Sequence, residues 1–277
     1  MLGRQHSRTS PDDPYRRHFW RDIRVRLGWA RPDGKLLGWG GSVFEAVPEH
    51  PTTETFLSYS STGDHTCGIR ASDKKAVCFG YMVTGIEGPS TDAYDVITTP
   101  YQAVCGVRSS DKKILCRGQS LGTLPGSPTA ETATQLASYY SAMCAVLGTG
   151  RLKCWPGQGS VVPDNPPDNG TDTYSAVAMG PSGLCAIRTG TGEARCWAGS
   201  LAPPAGVAFK ALAVGQDKAC GIRATDDRIE CWNDQTVSVD PFRSVSISSQ
   251  GSVCGARLSD GKLVCVGPNN YGEAPTL

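Results

Sequence analysis

The sequence predicts an all-β chain folded as a seven-bladed β-propeller with one disulfide in each of six blades. Three observations lead there: a unit that repeats along the chain, a hairpin pattern inside it, and cysteines placed two to a unit. The fullest copy is Cys254 to Gly267, Cys-Gly-Ala-Arg-Leu-Ser-Asp-Gly-Lys-Leu-Val-Cys-Val-Gly. Six imperfect copies begin at Gly28, Cys67, Cys105, Cys144, Cys185 and Cys220, so the spacings are 39, 38, 39, 41, 35 and 34 residues. A period of that size belongs to propellers and solenoids, whose units cannot bury a core alone.

Within the unit, an Asp/Gly-rich turn separates two short apolar segments. The turns are Ser72-Asp-Lys-Lys75, Ser110-Asp-Lys-Lys113, Gly148-Thr-Gly-Arg151, Gly190-Thr-Gly-Glu193 and Ser259-Asp-Gly-Lys262. This is the pattern of a β-hairpin. Facing the cysteines across an antiparallel pair puts 67 opposite 78, 68 opposite 77, 69 opposite 76 and 70 opposite 75, with a four-residue tip. Opposed Cα atoms then lie roughly 4.5 to 5.5 Å apart, a separation a disulfide accepts. The expected bonds are Cys67 to Cys78, Cys105 to Cys116, Cys144 to Cys154, Cys185 to Cys196, Cys220 to Cys231 and Cys254 to Cys265. The first unit has Gly28 and Gly38 at those places and loses both partners together.

Paired cysteines point to an oxidising compartment, extracellular or in the secretory pathway. Residues 1–26 are polar and basic, with no apolar core of a signal peptide, so the expectation is a fragment or mis-started version of a secreted or membrane-anchored protein. No Cys-x-x-Cys occurs, and His6, His18, His50 and His65 are not at ligand spacing, so neither a metal nor another cofactor is expected. A net charge of +1 gives no bulk attraction to nucleic acid or to a membrane surface. No run of about 18 apolar residues suggests membrane insertion by this segment.

Taken in order, residues 1–22 read as a flexible N-terminal extension and 23–277 as one propeller of 34–41-residue repeats. Ahead of each first cysteine runs a segment of small residues, such as Leu57-Ser-Tyr-Ser60, Val177-Ala-Met-Gly180 and Leu212-Ala-Val-Gly215, suited to an inner strand crowded near a central axis. One inner strand, two hairpin strands and an outer strand from the Gly/Pro/Ser-rich connection predict a four-stranded blade. Closure is expected from the two chain ends meeting in one sheet. Trp39, Trp155, Trp197 and Trp232, with Phe79, recur after the second cysteine or its equivalent, which marks them as blade packing.

The unit Cys-Gly-Ile-Arg-x-x-Asp-x-x-x-x-Cys-Trp/Phe-Gly, the Gly-Asp-His-Thr-Cys of residues 63–67 and the Gly267-Pro-Asn-Asn-Tyr-Gly-Glu273 end resemble the regulator of chromosome condensation repeat superfamily. Within it, the two-cysteine version resembles the extracellular repeats of crinkly-type plant receptor kinases. The resemblance covers residues 23–277 and implies a seven-bladed propeller serving as an extracellular ligand-binding or partner-binding module. A kinase, a transmembrane helix and a cysteine-rich juxtamembrane module of that branch are not in this sequence, and its first unit lacks the cysteine pair.

Two columns of cations flank the turns: Arg31, Arg70, Arg108, Arg188, Arg223 and Arg257 on one strand, and Lys35, Lys75, Lys113, Arg151, Arg228 and Lys262 on the other. On one rim they would form a candidate surface for an acidic ligand, glycan or protein. The structural alternative is solvated cover neutralised by the turn acids Asp33, Asp73, Asp111, Asp226 and Asp260. Tyr139, Tyr140 and Tyr271, like Tyr81-Met82, do not recur in the repeat and are candidates for a specific contact. No nucleophile elbow, phosphate loop or metal cluster is present, so no enzyme is expected. The sequon Asn169-Gly-Thr171 fits secretion. The reading is an extracellular protein- or glycan-binding module. Its rivals are an intracellular propeller scaffold or nucleotide-exchange factor for a small GTPase, and an inhibitor of a secreted enzyme.

Overall fold

The computed structural model describes residues 27–30, 34–39, 53–62, 65–80, 88–119, 121–157, 171–197, 201–233, 237–248 and 251–267. Among these, 21 strands form seven antiparallel sheets, one per repeat, and there is no helix. No helix long and apolar enough to cross a membrane occurs among the described residues.

Blade 1 holds β1 (Leu27–Ala30) and β2 (Leu36–Trp39), and blade 2 holds β3 (Phe56–Ser61), β4 (His65–Arg70) and β5 (Ala76–Gly80). Blade 3 is β6 (Tyr94–Thr98), β7 (Ala103–Arg108) and β8 (Ile114–Gly118), and blade 4 is β9 (Ala133–Tyr139), β10 (Ala142–Leu147) and β11 (Leu152–Trp155). Blade 5 is β12 (Tyr174–Gly180), β13 (Gly183–Arg188) and β14 (Ala194–Trp197). Blade 6 adds a fourth strand: β15 (Phe209–Val214), β16 (Ala219–Arg223), β17 (Arg228–Trp232) and β18 (Val237–Pro241). Blade 7 is β19 (Ser246–Ile247), β20 (Val253–Ala256) and β21 (Leu263–Val266).

The hairpin register is the expected one. Cys67 opposes Cys78, Gly68 opposes Val77 and Ile69 opposes Ala76, and the Arg70 N–H bonds the Lys75 carbonyl at 2.9 Å. All six disulfides form within blades, and no cysteine is free. Their Cα atoms are 4.0 Å apart, closer than expected, and each cysteine pair occupies a non-hydrogen-bonded rung, the closer of the two kinds.

The four-stranded blade needs correction: among the described residues only blade 6 has a fourth strand. In blades 2 and 3 a hydroxyl meets the outer edge. The Ala76 N–H donates to Ser90 Oγ at 2.9 Å and the Ile114 N–H to Thr129 Oγ1 at 3.0 Å. A Ser or Thr in a Gly/Pro-rich connection satisfies the edge amide without a ladder. The expected extension 1–22 and the sheet joining the chain ends lie outside the described residues.

The core lies between blades. Each middle strand is buried on both faces, as in β7 and β10, where five of six residues are buried. Val104 on one blade-3 face packs with Cys67 and Ile69 of blade 2, while Cys105 and Val107 pack with Met143 and Ala145 of blade 4. The first strands of blades 2 to 7 contact one another in succession around the axis. Small residues there are required, as expected: a Cβ on Gly180 would sit 2.0 Å from the Val214 carbonyl oxygen, and one on Gly215 2.6 Å from Ile247. Hydroxyls tie neighbouring inner strands, Ser60 to Thr99 at 2.9 Å and Thr98 to Ser138 at 2.6 Å.

Candidate recognition face

The hairpin tips define one face. Each tip turns through a residue of positive φ: Gly34, Lys74, Lys112, Gly150, Gly192, Asp227 and Gly261. In the first six of these, its carbonyl accepts the N–H of the residue that starts the next blade. Phe56 donates to Gly34 at 2.6 Å, Tyr94 to Lys74 and Ala133 to Lys112 at 2.8 Å, Tyr174 to Gly150 at 2.7 Å, Phe209 to Gly192 at 2.8 Å and Phe242 to Asp227 at 2.7 Å. Six of the seven tips are thereby latched to the next blade.

These starting residues form a buried column, aromatic except for Ala133. Each ring crosses its own blade: Phe56 meets Phe79 at 5.9 Å, Tyr174 meets Trp197 at 5.5 Å and Phe209 meets Trp232 at 5.4 Å between centroids. Phe79, Trp197 and Trp232 therefore pack the blade, as expected. In blades 3 and 6 a glycine beneath the ring makes room for it, since a Cβ on Gly106 would be 2.3 Å from Tyr94 and one on Gly221 2.4 Å from Phe209.

Immediately after the latch, the inner strands bulge. The register slips at Leu57, Asp95, Thr134, Ser175 and Lys210, each left without an opposite residue. A bulge re-aims its side chain out of the ladder. Arg243 follows Phe242 at the same place in blade 7. All but Asp95 are exposed, Leu57 to 60%. Asp95 accepts from Lys74 at 3.0 Å, from Lys112 and from Ser109 at 2.9 Å, and Lys210 reaches Asp227. Those tip contacts place the bulge column on the tip face. The Lys112 and Lys74 ammonium groups hold the Asp95 carboxyl well below the usual carboxylate range.

The arginine column lies on the same face, and Arg70, Arg108, Arg223 and Arg257 are engaged by nearby acids. Arg70 forks onto Asp73 at 3.0 and 2.7 Å and bonds Glu54 at 2.7 Å; Arg257 forks onto Asp260 at 3.1 and 2.6 Å and bonds Asp240 at 3.2 Å. Arg108 forks onto Asp111 with Asp92 at 3.7 Å, and Arg223 onto Asp226 with Glu230 at 3.4 Å. Arg70 pulls the Asp73 carboxyl down to about 2, and Arg257 does the same to Asp260. Asp111 and Asp226 are lowered by the same contact from Arg108 and Arg223. The rim is thus mixed in charge.

In the second column, Lys262 is exposed, Lys75 and Lys113 are half-buried, and Arg228 lies 4.0 Å from Asp226. Their backbone N–H groups cap the turn acids, as Lys75 does on Asp73 at 3.1 Å. Tyr139 and Tyr140 are not brought to this face. Tyr139 ends β9, at the opposite end from Ala133, and Tyr140, which follows it and is 59% exposed, stacks on Tyr101 at 5.1 Å. Tyr271, Tyr81, Met82, Asn169 and Arg31 lie outside the described residues. His65 is fully buried, its Nε2 3.0 Å from the Ala103 carbonyl of the next blade.

Sequence reasoning missed the bulge column and the acids Glu54, Asp92, Asp172 and Asp240. A signal existed: in blades 2 to 6 the latch residue stands 11 places before the first cysteine with the bulge one place after it, and in blades 2 to 5 an acid stands two places before it.

No protein-family model and no curated protein matches this chain. Solved structures do. The CRINKLY WD40 ectodomain of the Arabidopsis thaliana receptor kinase ACR4 is similar at 18% identity over 91% of this chain and 97% of that one, with a TM-score of 0.73. The entire ectodomain of the Physcomitrella patens receptor kinase CR4 is similar at 19% identity, covering 87% and 70%, with a TM-score of 0.72. Prp20p of Saccharomyces cerevisiae is similar at 12% identity, covering 88% and 80%, with a TM-score of 0.60. The fold these likenesses show is a β-propeller, similar to those of the two crinkly-type ectodomains and of Prp20p.

Proposed function

We propose that the chain is an extracellular recognition module that binds a protein ligand through its tip face and performs no chemistry of its own. The observation that carries this reading is the bulge column. Disulfides and core repeat through blades 2 to 7 and the arginine fork recurs in four of them, whereas Leu57, Asp95, Thr134, Ser175, Lys210 and Arg243 differ in every blade. A position re-aimed to solvent by the backbone, yet free of the repeat's own demands, is one where ligand specificity can be written. Its mixture of apolar, acidic, neutral and basic groups suits a protein surface better than a uniform polyanion, for which the forked arginines also offer little free charge.

The six disulfides support an oxidising compartment. They speak against the intracellular reading that a likeness to Prp20p, a protein whose structure was described with its binding to Gsp1p and histones, would otherwise suggest. On this reading residues 23–277 form a single closed ring. The test is capture against a panel of secreted and cell-surface proteins, with an acidic polysaccharide in parallel. Wild type and Tyr140→Ala should retain the same protein ligand, and the combined variant Leu57→Asp, Lys210→Glu, Arg243→Glu should lose it. A ligand held equally by the combined variant would sink the assignment of the face.

A further inference from the structure

The arginine forks have one informative exception. Three places after the arginine stand Asp73, Asp111, Asp226 and Asp260 in blades 2, 3, 6 and 7, but in blade 5 the residue is Thr191. Thr191 keeps only the local task of the aspartate: its Oγ1 accepts the Glu193 N–H at 3.2 Å, as Asp73 accepts that of Lys75. It supplies no carboxylate to Arg188. The nearest acids are Asp172 at 3.6 Å and Glu193 at 4.0 Å, both beyond hydrogen-bond reach, and Asp172 is already bonded by Arg195 at 2.7 Å. Nε of Arg188 is buried with no hydrogen-bond partner among the described residues.

Arg188 also lines a cleft of about 610 Å³ formed by the inner-strand starts of blades 4, 5 and 6. Val177, Phe209 and Leu212 supply apolar walls, and Lys210 of the bulge column stands at the same cleft. The Arg188 guanidinium meets Asp172 and Glu193 only as loose ion pairs and leaves its Nε without a hydrogen bond among the described residues, and a carboxylate satisfies such a fork best, through two parallel bonds. We propose that this cleft binds an acidic side chain of the protein ligand, whose carboxylate takes the place on Arg188 that the turn aspartate fills in four other blades. The apolar walls suit a hydrophobic residue beside that acid, whereas the hydroxyls of a uronic-acid glycan would face them without partners. The assignment of the ligand as protein rests on the recognition reading above; the carboxylate site rests on Arg188 and Thr191.

The test is an NMR titration of the oxidised, isotope-labelled chain with N-acetyl-Phe-Glu-amide. The Gln analogue serves as the uncharged control, and a galacturonic acid trimer as the glycan arm. Saturable shifts are expected at the Arg188 side chain and the Thr189, Gly190 and Gly192 amides. Binding should weaken about tenfold for the Gln analogue and for Thr191→Asp, the loss of roughly one charge-assisted contact. Thr191→Asp restores the residue of the sister blades and so keeps the fold; Arg188→Met should show the same loss. Equal binding of the Glu and Gln probes, unchanged binding in Thr191→Asp, or silence of all probes overturns the carboxylate site. Tighter binding of the trimer overturns the peptide assignment. If capture is lost in the bulge-column variant while the cleft stays silent, the face stands and the cleft falls.

Discussion

Gly180→Ala tests the inner ring directly. Gly180 ends β12, and an added Cβ would lie 2.0 Å from the oxygen and 2.6 Å from the carbon of the Val214 carbonyl. Contact without strain needs about 3.5 Å, so blades 5 and 6 must part by more than an ångström. The obstacle is backbone, and β15, which carries it, is paired with β16 and packed on β19, so it has nowhere to retreat. Overpacking against side chains typically costs 1–3 kcal/mol; against this carbonyl we expect about 3 kcal/mol. At roughly 2–4 °C per kcal/mol for a chain of this size, the melting temperature should fall by about 6–12 °C. The assay is thermal unfolding followed by circular dichroism with disulfides intact. Ser175→Ala on the same strand serves as control and should stay within about 0.5 kcal/mol. If Gly180→Ala melts like that control, the inner strands are not in the close contact on which the ring depends.

Replacing Cys220 and Cys231 together by alanine should cost about 3 kcal/mol, the chain entropy of a short disulfide loop, measured by denaturant unfolding. His65→Ala should cost about 2–4 kcal/mol, because it leaves a cavity and frees the Ala103 carbonyl at a blade interface. Asp73 and Asp260 have folded values near 2 against an ordinary 3.8, so their contribution to stability is present above that value and disappears as pH falls from 3.8 toward 2. Carboxyl NMR should find both midpoints near 2, and Asp260→Asn should flatten part of the acid limb of the stability curve. Thr191→Asp should raise stability by up to about 1 kcal/mol, the contribution of one exposed bidentate pair.

The hairpins, their register and all six disulfides were legible because Cys67 and Cys78, and each equivalent pair, stand in one short segment whose turn residues fix the alignment. The crowding of the inner strands was legible in the small residues around Gly180. The outer strand was not, since Ser90 and Thr129 satisfy edge amides through hydroxyls that leave no alternating pattern. The cation columns were visible, but not that Glu54, Asp92 and Asp240 complete the forks, because those acids precede the inner strand and meet the arginine only in the folded blade. The bulge at Leu57, Asp95, Thr134, Ser175 and Lys210 escaped for a different reason. It is a backbone feature fixed at one place in the repeat and occupied by unlike residues, so similarity of side chains hides it.

Blades stapled in an oxidising compartment are the central feature of this propeller. The direct test is to block free thiols in protein taken from its native source, measure intact mass with and without reduction, and map the cysteine peptides. All twelve cysteines should be protected, each joined to its partner 10 or 11 residues away in the same blade. Free thiols, or bonds running between blades, would contradict the stapled extracellular propeller and bring an intracellular role to the front.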